Sequence, residues 1–215
     1  VSEEAAAFQR MRSQMPMFDM SLHEPDIAVR RDQINAYAAQ AIPRLQAMFP
    51  IDVVRSDIGG VEVLDVRPAG GNFDPERILI NLHGGAFTVG WDGIAYMEAI
   101  PIAGLTGWRV VSINYRMAPE HRHPAAVEDV AAVYSALLAD YEPDRIGIYG
   151  GSAGGVLTAQ AAAWLPAHGL PQAGAVGVFG AGGAPFDAGE SAYVAGYVDG
   201  SFPAPDQIGG TQNEM

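Results

Sequence analysis

Two short glycine-rich stretches carry residues suited to acyl chemistry: His83-Gly84-Gly85-Ala86-Phe87 and Gly150-Gly151-Ser152-Ala153-Gly154. Each closes a short apolar run with strand character, and the second opens an alanine- and leucine-rich helical run at residues 156–165. A serine on a sharp strand-to-helix turn presents its hydroxyl as a nucleophile. Attack on an ester carbonyl builds an oxyanion, which needs two or three N–H donors already in place. Glycines let the backbone approach that oxygen without side-chain clash. Gly85 and Ala86 are the expected donors, with the Ala153 N–H as the third and Gly84 shaping the loop around the oxyanion. The pattern implies acyl transfer through Ser152, as in a serine hydrolase of carboxylic esters.

G-x-S-x-G by itself is a weak signal in a chain with 26 glycines. Context strengthens it. Arg145-Ile146-Gly147-Ile148-Tyr149 is a buried-strand run, and the turn into the following helix leaves no room for side chains at Gly150 and Gly154. The competing reading is a glycine-rich turn with a helix-capping serine. Nucleotide binding has little support, because no G-x-x-x-x-G-K-[ST] occurs and no G-x-G-x-x-G follows a strand run.

The histidines do not complete a triad. His83 ends a buried strand and is expected to be structural. His168 lies 16 residues after the serine, about 24 Å along a continuous helix, whereas a base must approach to hydrogen-bond distance. His121 and His123 form an H-x-H pair, but no third ligand is evident nearby, so solvated loop histidines are expected rather than a metal site. The downstream carboxylates Asp187, Glu190, Asp199 and Asp206 are not followed by a histidine. No cofactor is implied.

These groups need a scaffold, and the apolar periodicity supplies one. Residues 1–50 have helical character: a first helix near Ser2, a cluster of Met11, Met15, Met17, Phe18 and Met20, and a second helix after Pro25. Residues 51–56 and 61–66 flank Gly59-Gly60 and read as an antiparallel pair. Strand runs at 78–82, 109–114, 145–149 and 173–179 alternate with helical stretches at 93–105, 125–138 and 153–165. That alternation, with strands apolar on both faces, means an α/β fold with a mostly parallel sheet covered on two sides.

Bulk properties narrow the class. The net charge of −13 repels nucleic acid and anionic membranes, so a small neutral substrate is expected. With no cysteine, disulfides and thiolate chemistry are excluded. No apolar run is long enough to span a membrane, and the N-terminus lacks signal-peptide character, so a soluble, cytoplasmic protein is expected.

Together with Tyr115-Arg116-Met117-Ala118-Pro119-Glu120-His121-Arg122-His123-Pro124-Ala125-Ala126-Val127-Glu128-Asp129 between them, the two motifs resemble the hormone-sensitive-lipase family of α/β-hydrolases, its bacterial carboxylesterases and lactone hydrolases above all. The resemblance runs from about residue 78 to 165. It implies an α/β-hydrolase core at 51–215, an N-terminal helical cap at 1–50 shaping the acyl pocket, Ser152 as nucleophile, and Gly84, Gly85, Ala86 and Ala153 around the oxyanion. The segment from Tyr115 to Asp129 is structural in such enzymes, and an Arg116–Glu120 ion pair is expected to fix it. Ala86 stands where the family usually has a third glycine. Gly151 replaces a common aspartate, which predicts the loss of a side-chain hydrogen bond near the elbow.

By the same resemblance the triad order is Ser, then Asp or Glu, then His, and the last two are expected beyond Met215, with the final strands of the sheet. An uncovered apolar edge at 173–179 agrees with a C-terminally truncated core. The expected function is hydrolysis of short- to medium-chain esters or lactones through an acyl-enzyme on Ser152, with little or no turnover from these 215 residues alone. The alternative is a non-catalytic small-molecule-binding module of the same fold. A homo-oligomer or a complementing C-terminal fragment are the macromolecular partners left open.

Overall fold

A computed structural model of the chain describes residues 26–71 and 73–181. The expected helix near Ser2, the methionine-rich cluster, and the carboxylates Asp187, Glu190, Asp199 and Asp206 lie outside the described residues.

Helix α1 (Ile27–Met48) leads into β1 (Ile51–Ile58) and β2 (Val61–Pro68). There follow β3 (Asp74–Leu82), α2 (Ile94–Thr106), β4 (Trp108–Ile113), α3 (Ala125–Leu137), β5 (Ile146–Gly151), α4 (Ala153–Ala167) and β6 (Ala175–Phe179). The six strands form one sheet in the order β1-β2-β4-β3-β5-β6. The pairings of β1 with β2 and of β2 with β4 are antiparallel; from β4 through β3 and β5 to β6 all are parallel. As expected, Gly59-Gly60 turns β1 into β2, and the Gly60 N–H donates to Asp57 Oδ1 at 2.9 Å.

Alternation along each strand builds two cores. Ile78, Ile80 and Leu82 of β3 and Val111 and Ile113 of β4 pack with Val130 and Val133 of α3 and Leu157, Ala161 and Leu165 of α4. Leu64, Val66 and Val110 face the other way, against Ala95, Ala99, Ile100 and Ala103 of α2, with Ile42 and Leu45 of α1 outside them. Each fully buried Leu or Ile contributes about 1.5–3 kcal/mol, so both sheet faces are firmly held.

Two strand starts lie two or more residues from the sequence expectation. β3 starts at Asp74 rather than 78, because a polar lead-in (Asp74, Glu76, Arg77) joins the ladder through a register shift that apolar periodicity does not reveal. β6 starts at Ala175 rather than 173, because the Gly174 N–H turns to the Pro143 and Ile146 carbonyls instead of the ladder. Among the described residues β6 is an edge strand, with Val176, Val178 and Phe179 exposed. No described helix is long and apolar enough to cross a membrane.

The ion pairing of the segment after β4 corrects a sequence expectation. Arg116 does not pair with Glu120. Its Nε donates to Asp129 Oδ1 at 2.8 Å, its N–H to Asp129 Oδ2 at 2.7 Å, and its Nη2 to Glu128 Oε2 at 3.0 Å. Glu120 instead receives both terminal nitrogens of Arg31 from α1, each at 2.8 Å. The Arg31 hydrogen bonds hold the Glu120 carboxyl down to about 2. Arg31 Nε also donates to the Thr88 carbonyl at 2.8 Å and Nη2 to the Ala118 carbonyl at 3.2 Å. A single arginine thus ties α1 to both loops that border the site.

Candidate active site

Leu82 ends β3 and Gly150 nearly ends β5, and the register places them opposite each other in adjacent parallel strands. The loops that leave these strands therefore emerge side by side, at the end of the sheet where open α/β folds bind ligands. One begins with His83 and the other is the turn at Ser152.

The turn has the geometry of a nucleophile elbow. Ser152 sits at φ 52° and ψ −121°, a region that costs a non-glycine residue on the order of 1–3 kcal/mol and persists only when its surroundings enforce it. The enforcement is steric. A Cβ on Gly154 would overlap the Leu82 carbonyl, and one on Gly150 would overlap the Gly154 and Leu82 carbonyls, so strand and helix approach backbone to backbone. The Ser152 N–H donates to the Phe179 carbonyl at 2.9 Å, which pins the turn to the end of β6. The serine side chain caps no helix amide. Ser152 is exposed, and among the described residues its hydroxyl has no hydrogen-bond partner.

The facing loop is strained in the same sense. Gly85 lies at φ 120°, Ala86 at φ 54° and Phe87 at φ 59°, three successive residues in left-handed space. The Gly85 carbonyl collects the N–H groups of Thr88 and Val89 at 3.0 and 3.1 Å, and the Thr88 hydroxyl at 3.3 Å. No hydrogen bond among the described residues engages the Gly85 or Ala86 N–H. The place of a Cβ on Gly84 lies 3.6 Å from Ser152 Cβ, so the loop runs directly alongside the serine. Gly84 has a different role from its two neighbours: its N–H donates to Glu98 Oε1 at 3.0 Å. Ala153, at the first position of α4, offers an N–H that the helix leaves unpaired, with the positive end of the helix dipole behind it.

His83 is fully buried. Its Nδ1–H donates to the Gly84 carbonyl at 2.8 Å, and its ring stacks on Tyr115 at 4.4 Å. Burial pushes its pKa down to about 4, so the ring is neutral and shapes the loop from beneath. The Tyr115 hydroxyl donates to the His83 carbonyl at 2.7 Å and braces the same bend. His168 ends α4, unbroken from Ala153 to Ala167, and stacks on Trp164. His123 also meets Trp164, about 18 Å along the helix from Ser152. Neither reaches the serine. No cluster of three or more metal-ligating side chains occurs among the described residues.

One carboxylate at the site escaped the sequence reading. Glu98 is the single charged residue of the otherwise apolar helix α2. Besides Gly84, it accepts from Asn81 Nδ2 at 3.0 Å through Oε2. Burial raises its pKa, and the bonds from Asn81 and Gly84 partly offset this. The elbow therefore does have a side-chain carboxylate beside it, supplied by α2 rather than by residue 151. A lone glutamate in an apolar helix was the signal that could have found it. A cavity of about 450 Å³ lies between Arg31, Trp91, Tyr115, Met117 and Glu120, and Ser152 is not part of its wall.

The chain is similar to known hydrolases. A family model described as alpha/beta hydrolase fold matches residues 79–197, more than half of the chain. The chain is 32% identical over 141 residues to a versiconal hemiacetal acetate esterase of Dothistroma septosporum, covering 61% of this chain and 43% of that protein. It is 33% identical over 153 residues to the carboxylic ester hydrolase LipN of Mycobacterium tuberculosis, covering 63% and 38% respectively. An esterase from the bacterial hormone-sensitive lipase family superimposes with TM-score 0.59 at 28% identity, over 79% of this chain and 53% of that one. The chain thus spans about two fifths of these two curated relatives and about half of the solved esterase. Motifs, sheet order and these likenesses agree, and the chain belongs to the hormone-sensitive-lipase family of α/β-hydrolases.

Proposed function

We propose that the protein is a serine carboxylesterase acting on short- to medium-chain carboxylic esters or lactones. The observation that carries this reading is a serine hydroxyl on a strained elbow, set beside a loop whose Gly85 and Ala86 amides, like that hydroxyl, have no hydrogen-bond partner among the described residues. Ser152 Oγ attacks the ester carbonyl. The oxygen that becomes negative takes hydrogen bonds from Gly85, Ala86 and Ala153, each such donor being worth about 3–4 kcal/mol in the transition state. The alcohol leaves, the acyl group remains on Ser152, and water releases it.

Deprotonating the serine requires a general base. Buried His83 and the distant His123 and His168 cannot serve, and His121 lines a cavity whose wall does not include Ser152; we infer that the base belongs to a segment outside the described residues. In the same reading residues 1–50 cap a core formed by 51–215, with Arg31 as the pin between them. The name of one relative, a versiconal hemiacetal acetate esterase, favours small acyl groups. The net charge of −13 disfavours anionic substrates.

The test is hydrolysis of p-nitrophenyl esters from acetate to octanoate by the protein as encoded, against Ser152→Ala. Loss of turnover by at least about 10³-fold supports the reading. Saturable binding of an ester analogue with no turnover in either protein points to the binding module instead.

A further inference from the structure

We propose that Glu98 is a positioning residue of the oxyanion loop, whose carboxylate fills the space that the glycine at position 151 leaves open beside the nucleophile. The inference rests on the Ser152 reading and adds to it the group that sets the loop.

Gly151 is not a glycine for the reasons that apply to Gly150 and Gly154. Its backbone is not in left-handed space. A Cβ there would meet only Glu98 Oε1 at 3.5 Å and the Phe179 carbonyl at 3.9 Å, both ordinary contacts. Neither strain nor close backbone approach demands glycine, and the nearest atom to the vacant position is the carboxylate. The same oxygen lies 3.3 Å from the place of a Cβ on Gly84 and accepts the Gly84 N–H. Glu98, Gly84 and Ser152 thus stand in one row.

The carboxylate is itself held. Oε2 accepts from Asn81, whose Oδ1 accepts the buried Ser112 hydroxyl at 2.7 Å, so the Asn81 amide can turn only one way. The Tyr149 hydroxyl reaches the Glu98 main-chain carbonyl at 3.4 Å. Among the described residues Glu98 has no cationic partner. A partly buried carboxylate without a cation is costly, and here it accompanies a hydrogen bond that orients the Gly84 peptide plane. The Gly85 and Ala86 amides follow directly on this anchored plane, and the φ of 120° at Gly85 sets the turn between them.

The geometry makes an unusual demand on position 151. An aspartate Oδ lies about 2.4 Å from its Cβ, so an aspartate there can place an oxygen within about 1.1 Å of the Glu98 Oε1 position. With Glu98 present, two carboxylates contend for one amide. With Glu98 truncated, the aspartate can replace it.

The experiment measures kcat and KM of the protein as encoded, with Glu98→Ala, Gly151→Asp and the double variant. Glu98→Ala is expected to lower kcat about 10–100-fold with KM within about 2-fold. Gly151→Asp is expected to cost about 10-fold in the parent yet to raise kcat at least about 5-fold in the Glu98→Ala background. That reversal of sign is beyond a purely structural role. Equal effects of Gly151→Asp in both backgrounds, or a folded Glu98→Ala protein within about 2-fold of the parent kcat, overturn the assignment. Should Glu98→Ala not fold, Glu98→Gln takes its place: Gly151→Asp should then cost under about 3-fold beside a neutral amide, and a cost equal to that in the parent overturns the assignment. A parent without turnover that Ser152→Ala removes overturns both readings, whereas Ser152-dependent turnover with additive variants overturns only the role of Glu98.

Discussion

The Leu82 carbonyl occupies the space in which a Cβ on Gly154 would stand. Strand β3 and helix α4 are thereby brought into backbone contact, and the loop that begins at His83 is carried alongside Ser152. Gly154→Ala must therefore push strand and helix apart, at an expected cost of more than about 3 kcal/mol. Gly151→Ala, three positions earlier, meets only ordinary contacts and should stay within about 0.5 kcal/mol of the parent. Urea denaturation of the two variants separates these cases.

Ala86 holds φ 54° within a run of left-handed residues. Glycine relieves that strain, offset in part by the greater freedom it gives the unfolded chain. Ala86→Gly should stabilise the protein by about 0.5–1 kcal/mol in the same denaturation measurement. A destabilised variant would mean that the alanine methyl packs more usefully than its backbone suffers.

His83 is neutral in the fold because burial lowers its pKa to about 4, while in the unfolded chain it titrates near the ordinary histidine value of about 6.5. The unfolded state therefore binds the extra proton as pH falls. The stability tied to a neutral His83 is complete above about pH 6.5 and is lost on acidification toward pH 4, by on the order of 3 kcal/mol. His83→Asn lacks this titration, so the difference between the two stability profiles should shrink by that amount across the window. Parallel profiles would show that His83 titrates normally.

Arg31 binds the Glu120 carboxylate and two carbonyls, Thr88 and Ala118. The ion pair is partly exposed and worth little by itself, but the carbonyl bonds are not replaced when Arg31 is lost. Arg31→Ala should cost about 1–2 kcal/mol and Glu120→Ala less than about 1 kcal/mol, because only the first frees α1 from the loop at Thr88. Equal costs in thermal unfolding would reduce the contact to a surface ion pair.

The elbow was readable in the sequence because its demands are local. Gly150, Ser152 and Gly154 announce a turn too tight for side chains, and the flanking apolar runs give its strand and helix. The hairpin at Gly59-Gly60 was readable for the same reason. Pairings across long separations were not. Nothing near Glu120 indicates that its partner is Arg31, 89 positions earlier, because that depends on where α1 comes to rest. Arg116 had a nearer carboxylate choice, and Asp129 won through a simultaneous bond to the Arg116 backbone N–H. Glu98 belongs to both cases: its isolation in an apolar helix is visible, but its meeting with Gly84 and Gly151 is a product of the fold.

A crystal structure of the protein as encoded, after reaction with a p-nitrophenyl alkylphosphonate, tests the central claim most directly. The expected result is a single adduct on Ser152 Oγ, its phosphoryl oxygen about 3 Å from the backbone nitrogens of Gly85, Ala86 and Ala153. An adduct on another residue, or a phosphoryl oxygen turned away from all three amides, would contradict it.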